Sequence, residues 1–376
     1  MRVERLNLVG FRSYATLEVS FPGGPQVVIG RNAAGKTNLL EALVVLATGH
    51  SHRTSTDPEM IGWDAPLARL EAHVGSTGPG LDELEVVMAR PGTGGTAGSR
   101  KRVRINGVPR RASALSASLR AVVFAPEDML LVSGSPSLRR ALLDTLVAQQ
   151  VVEGSSTLST YARALQQRNT LLRRIREGEA SADELRYWDA VVVEQGGRIV
   201  TWRLAALAAL AGPVAEAHAE IAPGEARLSL RYETNAPMVA GESVEEALRR
   251  RLAETSEKEL WNGSTLVGPH RDDLSFVMGG RELGSFASRG QQRTAILAVK
   301  LAQLDLLSLR DGRPPLLLLD DVFSELDPER RAHLVRRIGE LPQSFVTTTT
   351  LDDLDPRLVA ASTAWRVEPG RLEPAA

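Results

Sequence analysis

The chain has 376 residues, 43% of them apolar, enough for two domains or for one large α/β domain carrying an insertion. Its formal net charge is −1, from 45 Lys and Arg against 46 Asp and Glu, so no global basic field draws it to a polyanion and any such site is a local patch. The absence of cysteine excludes disulfides, thiolate zinc sites, iron–sulfur clusters and a cysteine nucleophile.

The amino end is charged from Arg2 onward and lacks an uninterrupted apolar run, so no secretory signal is expected and a cytoplasmic protein is the default. Residues 2–9 and 14–21 alternate apolar with polar and predict an antiparallel strand pair turning near Phe11 to Ser13. A short apolar strand at 26–29 stops on Gly30, after which Leu39, Leu40, Leu43 and Leu46 recur at helical spacing. His50 and His52 are the one close pair of histidines, and His-x-His without neighbouring carboxylates reads as a loop. Strands at 67–74, 83–89 and 102–105 follow, the last turning at Asn106-Gly107 in a hairpin, with the Gly, Thr and Ala run at 92–99 as a flexible loop tip.

From 136 to 222 Leu and Ala recur at three- and four-residue steps without a sustained heptad, which predicts a packed helical lobe. Its most apolar stretch, 204–214, is too short to span a bilayer and is expected to close at Gly212-Pro213. Strands at 227–232 and 274–278 and a helix over 291–309 come next. Leu316 to Leu319, bounded by Pro314-Pro315 and by Asp320, then read as a strand buried on both faces. A helix over 328–338 and a strand over 344–348 complete the rhythm of a parallel sheet, and no internal repeat is found.

Gly30-Arg31-Asn32-Ala33-Ala34-Gly35-Lys36-Thr37 satisfies G-x-x-x-x-G-K-[ST] between a predicted strand and a predicted helix. The two glycines let the backbone curl so that its N–H groups and the helix N-terminus face phosphates. Lys36 reaches the β/γ-phosphates, and the Thr37 hydroxyl ligates Mg²⁺. A strand ending in Asp320-Asp321 is the second half of such a site, the first carboxylate holding the Mg²⁺ shell and the next placed to orient an attacking water. Ser288-Arg289-Gly290-Gln291-Gln292 opens a helix with a serine hydroxyl and a glycine backbone, either a second anion-binding device or a plain helix cap. Most of the chain separates Lys36 from Asp320, so a large insertion lies between the halves. The expected division is a first head half at 1–135, a helical lobe at 136–225 and a second head half at 226–376.

These segments, with Gly10-Phe11-Arg12-Ser13-Tyr14, Phe124-Ala125-Pro126-Glu127-Asp128, Gly134 to Arg140 and Gly268-Pro269-His270-Arg271-Asp272-Asp273, resemble the RecF family, bacterial ATPases related to ABC-type heads and to structural-maintenance-of-chromosomes proteins. The resemblance implies an ABC-type ATPase head, a mixed β-sheet with the phosphate loop, plus an inserted helical second lobe. It also implies ATP-dependent homodimerisation, slow DNA-stimulated ATP hydrolysis, and binding to duplex DNA beside a single-strand gap. Partnership with RecR and RecO in loading RecA follows, in gap repair, replication restart and SOS induction near the nucleoid, with no membrane partner. Carried over by position, Gly30 to Thr37 bind the triphosphate with Arg12 near by, Asp320 supports Mg²⁺, and Asp321 takes the base position. Ser288, Gly290 and Gln291 meet the γ-phosphate held by the other subunit. Ala33 departs from the glycine many members have, and alanine disfavours positive φ. Asp321 is one methylene shorter than the glutamate usual in the wider ABC class, Thr347 to Thr350 stand where a switch histidine would follow, and no glutamine loop can be assigned near Glu127 and Asp128.

Two basic clusters suit sequence-independent phosphate contact: Arg100, Lys101, Arg102, Arg104, Arg110 and Arg111 on the hairpin, and Arg163, Arg168, Arg173, Arg174 and Arg176 on one helix. A solvated arginine face explains them equally well, because arginine outnumbers lysine 41 to four throughout the chain. The rival functions are an ATPase subunit of another ABC-type assembly, such as a transporter, and a nucleotide-binding scaffold without significant turnover.

Overall fold

The structure, a computed structural model, describes residues 1–54, 56–75, 80–90 and 100–375; the expected loop tip at 92–99 lies outside them. Two compact units emerge. Met1–Asp128, Ala217–Glu225 and Leu297–Ala376 form the first, and Met129–Glu216 with Ala226–Ile296 form the second. The division read from the sequence falls elsewhere: the stretch 226–296, with its Gly268 and Ser288 motifs, groups with the helical block.

Along the chain, strands β1 (Arg2–Phe11), β2 (Tyr14–Ser20) and β3 (Gly24–Ile29) lead into helix α1 (Lys36–Thr48). Strands β4 (Leu67–Gly75), β5 (Leu81–Ala89), β6 (Arg100–Ile105) and β7 (Val108–Arg110) follow, then helix α2 (Leu115–Ser118) and strand β8 (Ala121–Phe124). The helical block comprises α3 (Leu130–Ser133), α4 (Pro136–Gln150), α5 (Gly154–Arg176) and α6 (Leu185–Ile221). Strand β9 (Leu228–Glu233), helix α7 (Val244–Asn262), strands β10 (Asp273–Met278) and β11 (Arg281–Glu282) and helices α8 (Leu283–Phe286) and α9 (Arg289–Leu309) come next. Strand β12 (Leu316–Asp320), helix α10 (Pro328–Gly339), strand β13 (Gln343–Thr348), helix α11 (Pro356–Ala361) and strands β14 (Thr363–Glu368) and β15 (Arg371–Pro374) end the chain.

The first unit holds two six-stranded sheets. One, ordered β2-β1-β4-β5-β6-β7, is antiparallel throughout and buries Leu6, Leu8, Leu70, Leu84 and Val86 on its inner face. The other, ordered β15-β14-β3-β13-β12-β8, is parallel except for β15, and its interior strands β12 and β13 are buried along their whole length. Buried polar groups join the layers: Gln343 donates to the Val3 carbonyl at 2.9 Å and accepts from the Val3 N–H at 2.8 Å. Phe21 meets the Phe345 and Trp365 rings edge-on at 4.9 and 5.2 Å.

Gly212-Pro213 does not close a helix as expected, since α6 runs through both to Ile221. Leu210 and Val214 are buried on either side, and this packing outweighs the hydrogen bond that proline forgoes. By length and composition alone Ala182–Ile221 is long and apolar enough to cross a membrane. Yet Val192, Val193 and Ile199 are core residues of the second unit, and Arg203, buried in mid-helix, binds Asp144 at 2.7 Å.

The Gly268–Asp273 motif organises the interior of the second unit. Gly268 sits at φ 128, where an added Cβ would lie 2.5 Å from the Tyr161 hydroxyl. His270 Nε2 donates to the Thr265 carbonyl at 3.1 Å, so Nδ1 accepts from Tyr161 at 2.7 Å, and burial pushes the imidazole pKa down to about 4. Buried Asp272 accepts from Tyr232 at 2.7 Å and from the Asn235 N–H at 3.2 Å. Arg168 is also inside, bound to Glu259 at 2.7 Å, to Asp189 at 2.6 Å and to Thr265 at 2.8 Å.

Arg168→Ala leaves Glu259 charged and buried, and should lower the unfolding free energy by about 3–5 kcal/mol. Exposed Arg163→Ala should change it by no more than about 0.5 kcal/mol. Urea titration of both variants checks this, and equal effects would contradict the buried placement.

Candidate nucleotide site

The phosphate loop joins β3 to α1 at the carboxyl end of the parallel sheet. A side chain at Gly30 would strike the Val367 carbonyl at 2.7 Å, and one at Gly35, φ 117, would crowd Ser13 and Tyr14 at 3.0 and 3.2 Å. Both glycines are therefore required by space, and Gly35 by its backbone angle as well. Ala33 stands at φ 64, a left-handed conformation in which alanine is strained. Arg31, Asn32 and Ala33 are exposed at the rim, while Ala34, Gly35 and Lys36 are buried.

Helix α1 begins without a capping side chain and without an acid in its first turn, so its first amides and its dipole are left for an anion. Lys36 folds back, donating to the Gly30 carbonyl at 2.7 Å and to the Arg31 carbonyl at 3.3 Å. Burial, outweighing the charges of Asp321 and Asp320, holds its ammonium below the usual lysine range, and a triphosphate would supply the missing counter-charge.

Strand β13 lies between β3 and β12, and the register pairs Thr347 with both Val28 and Asp320. The Thr37 hydroxyl donates to Asp320 Oδ2 at 2.7 Å, and the Thr347 hydroxyl donates to Asp320 Oδ1 at 2.6 Å. Thr37 Oγ1 and Asp320 Oδ2 are hard oxygen donors, spaced a little under the edge of an octahedron, about 3.0 Å for metal–oxygen bonds of about 2.1 Å. The pair therefore fits Mg²⁺. Asp321 adopts φ 52, with its N–H bound by Thr347 Oγ1 at 3.0 Å and its carbonyl by the Ser324 hydroxyl at 3.0 Å.

Arg12, expected from sequence near the triphosphate, is anchored to the helix that follows the loop. It forms a bidentate pair with Glu41 of α1 at 2.8 and 2.6 Å and donates to the Glu59 carbonyl at 2.7 Å. Burial would raise the Glu41 pKa, but hydrogen bonds from Arg12 and Ser51 and the charges of Arg12 and Arg53 hold it below the ordinary range. The following turn reaches the loop itself: Tyr14 donates to the Gly35 carbonyl at 3.1 Å, and Ser13 accepts from Asn38 at 2.9 Å. The sequence assigns Glu41 no role, although a lone carboxylate inside the run Leu39 to Leu46 is a signal, and it marks Thr347 only as one of four threonines where a switch histidine would follow.

Ser288, Gly290 and Gln291 lie in the second unit at the start of α9. Ser288 Oγ accepts from the Gln291 N–H at 3.2 Å, and Gln291 Oε1 accepts from the Ser288 N–H at 3.0 Å, a reciprocal capping box. Both open readings of that segment thus share one serine, which is exposed and caps its own helix.

The basic clusters divide. Lys101 turns inward to Asp57 and the Gly49 carbonyl, each at 2.7 Å, and Arg104 lies 3.5 Å from Glu85. Arg102, Arg110 and Arg111 are exposed, whereas Arg100 is placed only by its backbone in β6. On α5, Arg163, Arg173, Arg174 and Arg176 are exposed, but buried Arg168 does not belong to that face.

The family described as RecF/RecN/SMC N terminal domain matches residues 2–355. Proteins named DNA replication and repair protein RecF are 39% identical in Limosilactobacillus fermentum, over 99% of both chains, and 40% identical in Roseiflexus castenholzii, over the full length of both. The chain belongs to the RecF family. A solved structure of the recombination mediator protein RecF with ATP, in the RecFOR pathway, superposes on this RecF-family chain with a TM-score of 0.89 at 29% identity, covering 100% of this chain and 97% of that one. An Smc head bound to the C-winged helix domain of ScpA shares the fold, with a TM-score of 0.53 at 15% identity over 100% and 98% of the two chains. The ABC-type head expected from sequence is thus the fold of the RecF-family chain.

Because Ala33 is held at positive φ, Ala33→Gly should stabilise the nucleotide-free protein by about 0.5–1 kcal/mol, the reverse of an ordinary loop Ala→Gly change. Denaturant unfolding reads this directly; a loss of stability would mean that the loop relaxes away from the left-handed turn.

Proposed function

We propose that this RecF-family chain is an ATP-switched DNA replication and repair protein acting in the cytoplasm at the nucleoid. Two copies close around ATP and duplex DNA beside a single-strand gap, and hydrolysis reopens them. The contact that best supports the reading is Thr37 to Asp320, 2.7 Å, which joins the two sequence-distant halves of a phosphate-loop ATPase at one point. The match to an ATP-bound RecF supports it independently.

Gly30 to Thr37 enclose the triphosphate with backbone amides, Lys36 neutralises its outer charge, and Thr37 and Asp320 hold Mg²⁺. The cation, when bound, polarises the γ-phosphoryl oxygens. Asp321 orients the attacking water, its short side chain favouring slow turnover. Ser288, Gly290 and Gln291 of the second copy grip the γ-phosphate, so the active site is complete only in the dimer. Arg102, Arg110 and Arg111 supply DNA phosphate contacts that weaken with salt. RecR and RecO are the partners through which RecA is loaded, in gap repair, replication restart and SOS induction.

Light scattering with and without ATP and gapped duplex, at two salt concentrations, tests the whole proposal. Lys36→Met should abolish the ATP-dependent increase in mass. Ser288→Arg should leave nucleotide binding by the single chain within about twofold but block dimerisation; loss of that binding would contradict a site shared between copies. Asp321→Asn should prolong the ATP-bound dimer, whereas an unchanged lifetime would favour a scaffold that does not hydrolyse.

A further inference from the structure

We propose that Thr347 is a positioning residue of the nucleotide site, fixing the Asp320 carboxylate and the Asp321 peptide as one unit. The inference rests on the ATPase reading above and adds to it a residue from the strand between the two nucleotide-binding strands.

Thr347 is fully buried at the end of β13. A hydroxyl has one proton, and here it goes to Asp320 Oδ1 at 2.6 Å. One of the oxygen's two lone pairs accepts the Asp321 N–H at 3.0 Å. The donated proton fixes the orientation of the hydroxyl, which joins a carboxylate to the peptide that follows it. From the other side, Ser324 donates to the Asp321 carbonyl at 3.0 Å. Asp321 is thereby held at φ 52, a conformation that persists only when its surroundings enforce it.

The same strand end also reaches the phosphate loop, since the Thr348 carbonyl accepts from the Gly30 N–H at 3.2 Å. Two successive residues of β13 thus set the first amide of the loop and the carboxylate opposite it. The role becomes sharper when a cation is bound. If Thr37 turns its oxygen to Mg²⁺, Thr347 is the hydroxyl still donating to Asp320, on the oxygen away from the metal. Such outer hydrogen bonds aim a ligand and tune its basicity, and their loss typically costs about 10–100-fold in metal affinity or activity.

Thr347→Val keeps the β-branched shape and removes the hydroxyl; Thr347→Ser keeps the hydroxyl and removes the methyl. The valine variant should need about tenfold more Mg²⁺ for half-maximal nucleotide-dependent dimerisation and turn ATP over at least about tenfold more slowly. Its affinity for a fluorescent ATP analogue in EDTA should stay within about twofold of wild type, and serine should restore the Mg²⁺ dependence. Should the valine variant melt early, Thr347→Ala carries the same comparison on its folded fraction. Equal Mg²⁺ dependence in wild type and Thr347→Val, or equal impairment of serine and valine, would overturn this proposal alone. A wild-type protein without any Mg²⁺-dependent nucleotide response would overturn the ATPase reading as well.

Discussion

The Asp320 carboxylate is the constraint on which the arrangement of the candidate site depends. It closes the end of a strand buried along its whole length, where an unpaired charge would be prohibitive. It is tolerated because one hydroxyl arrives from the helix after β3 and another from β13. These residues are brought together by the parallel order β3-β13-β12, which only the folded sheet supplies. The lysine of the loop completes the balance, half-withdrawn onto its own backbone carbonyls.

The second unit is stabilised differently. Its interior contains arginines matched to carboxylates, Arg203 to Asp144 and Arg168 to both Glu259 and Asp189, and half-buried Arg139 meets Asp273. Tyr161 pairs with His270, and Tyr232 with Asp272, alongside these ion pairs. Such a network contributes less net stability than an apolar core of equal volume, but it is intolerant of partial loss, which favours a single arrangement of the helices. The Gly268 motif, conspicuous in sequence as a run of charged and small residues, is part of that interior.

The loop and both its flanks were legible because they are local: glycines at fixed offsets, a lysine in an arginine-biased chain, an apolar strand before and a helical period after. The four leucines before Asp320 marked a central strand for the same reason. Long-range pairing was not legible. Glu41 belongs to α1 by spacing but to Arg12 by topology, and Thr347 means nothing without its neighbour in register. Helix α7 was missed because its surface is charged almost all round, although Ser243 and Glu246 form a capping box that could have announced it. Strand β8 is only four residues long, too short for alternation to show. Arg168 looked like its exposed neighbours on α5, since three- and four-residue spacing does not tell a matched buried cation from a solvated one.

The two helix beginnings at issue differ in their resting state. At α1 no side chain caps the leading amides, so an arriving anion meets open donors. At α9 the serine and glutamine already satisfy each other, so a newcomer must displace bonds of comparable strength and gains only the surplus. This asymmetry separates the two ends chemically: the start of α1 is open to an anion, whereas at α9 an anion competes with the cap the helix already makes for itself.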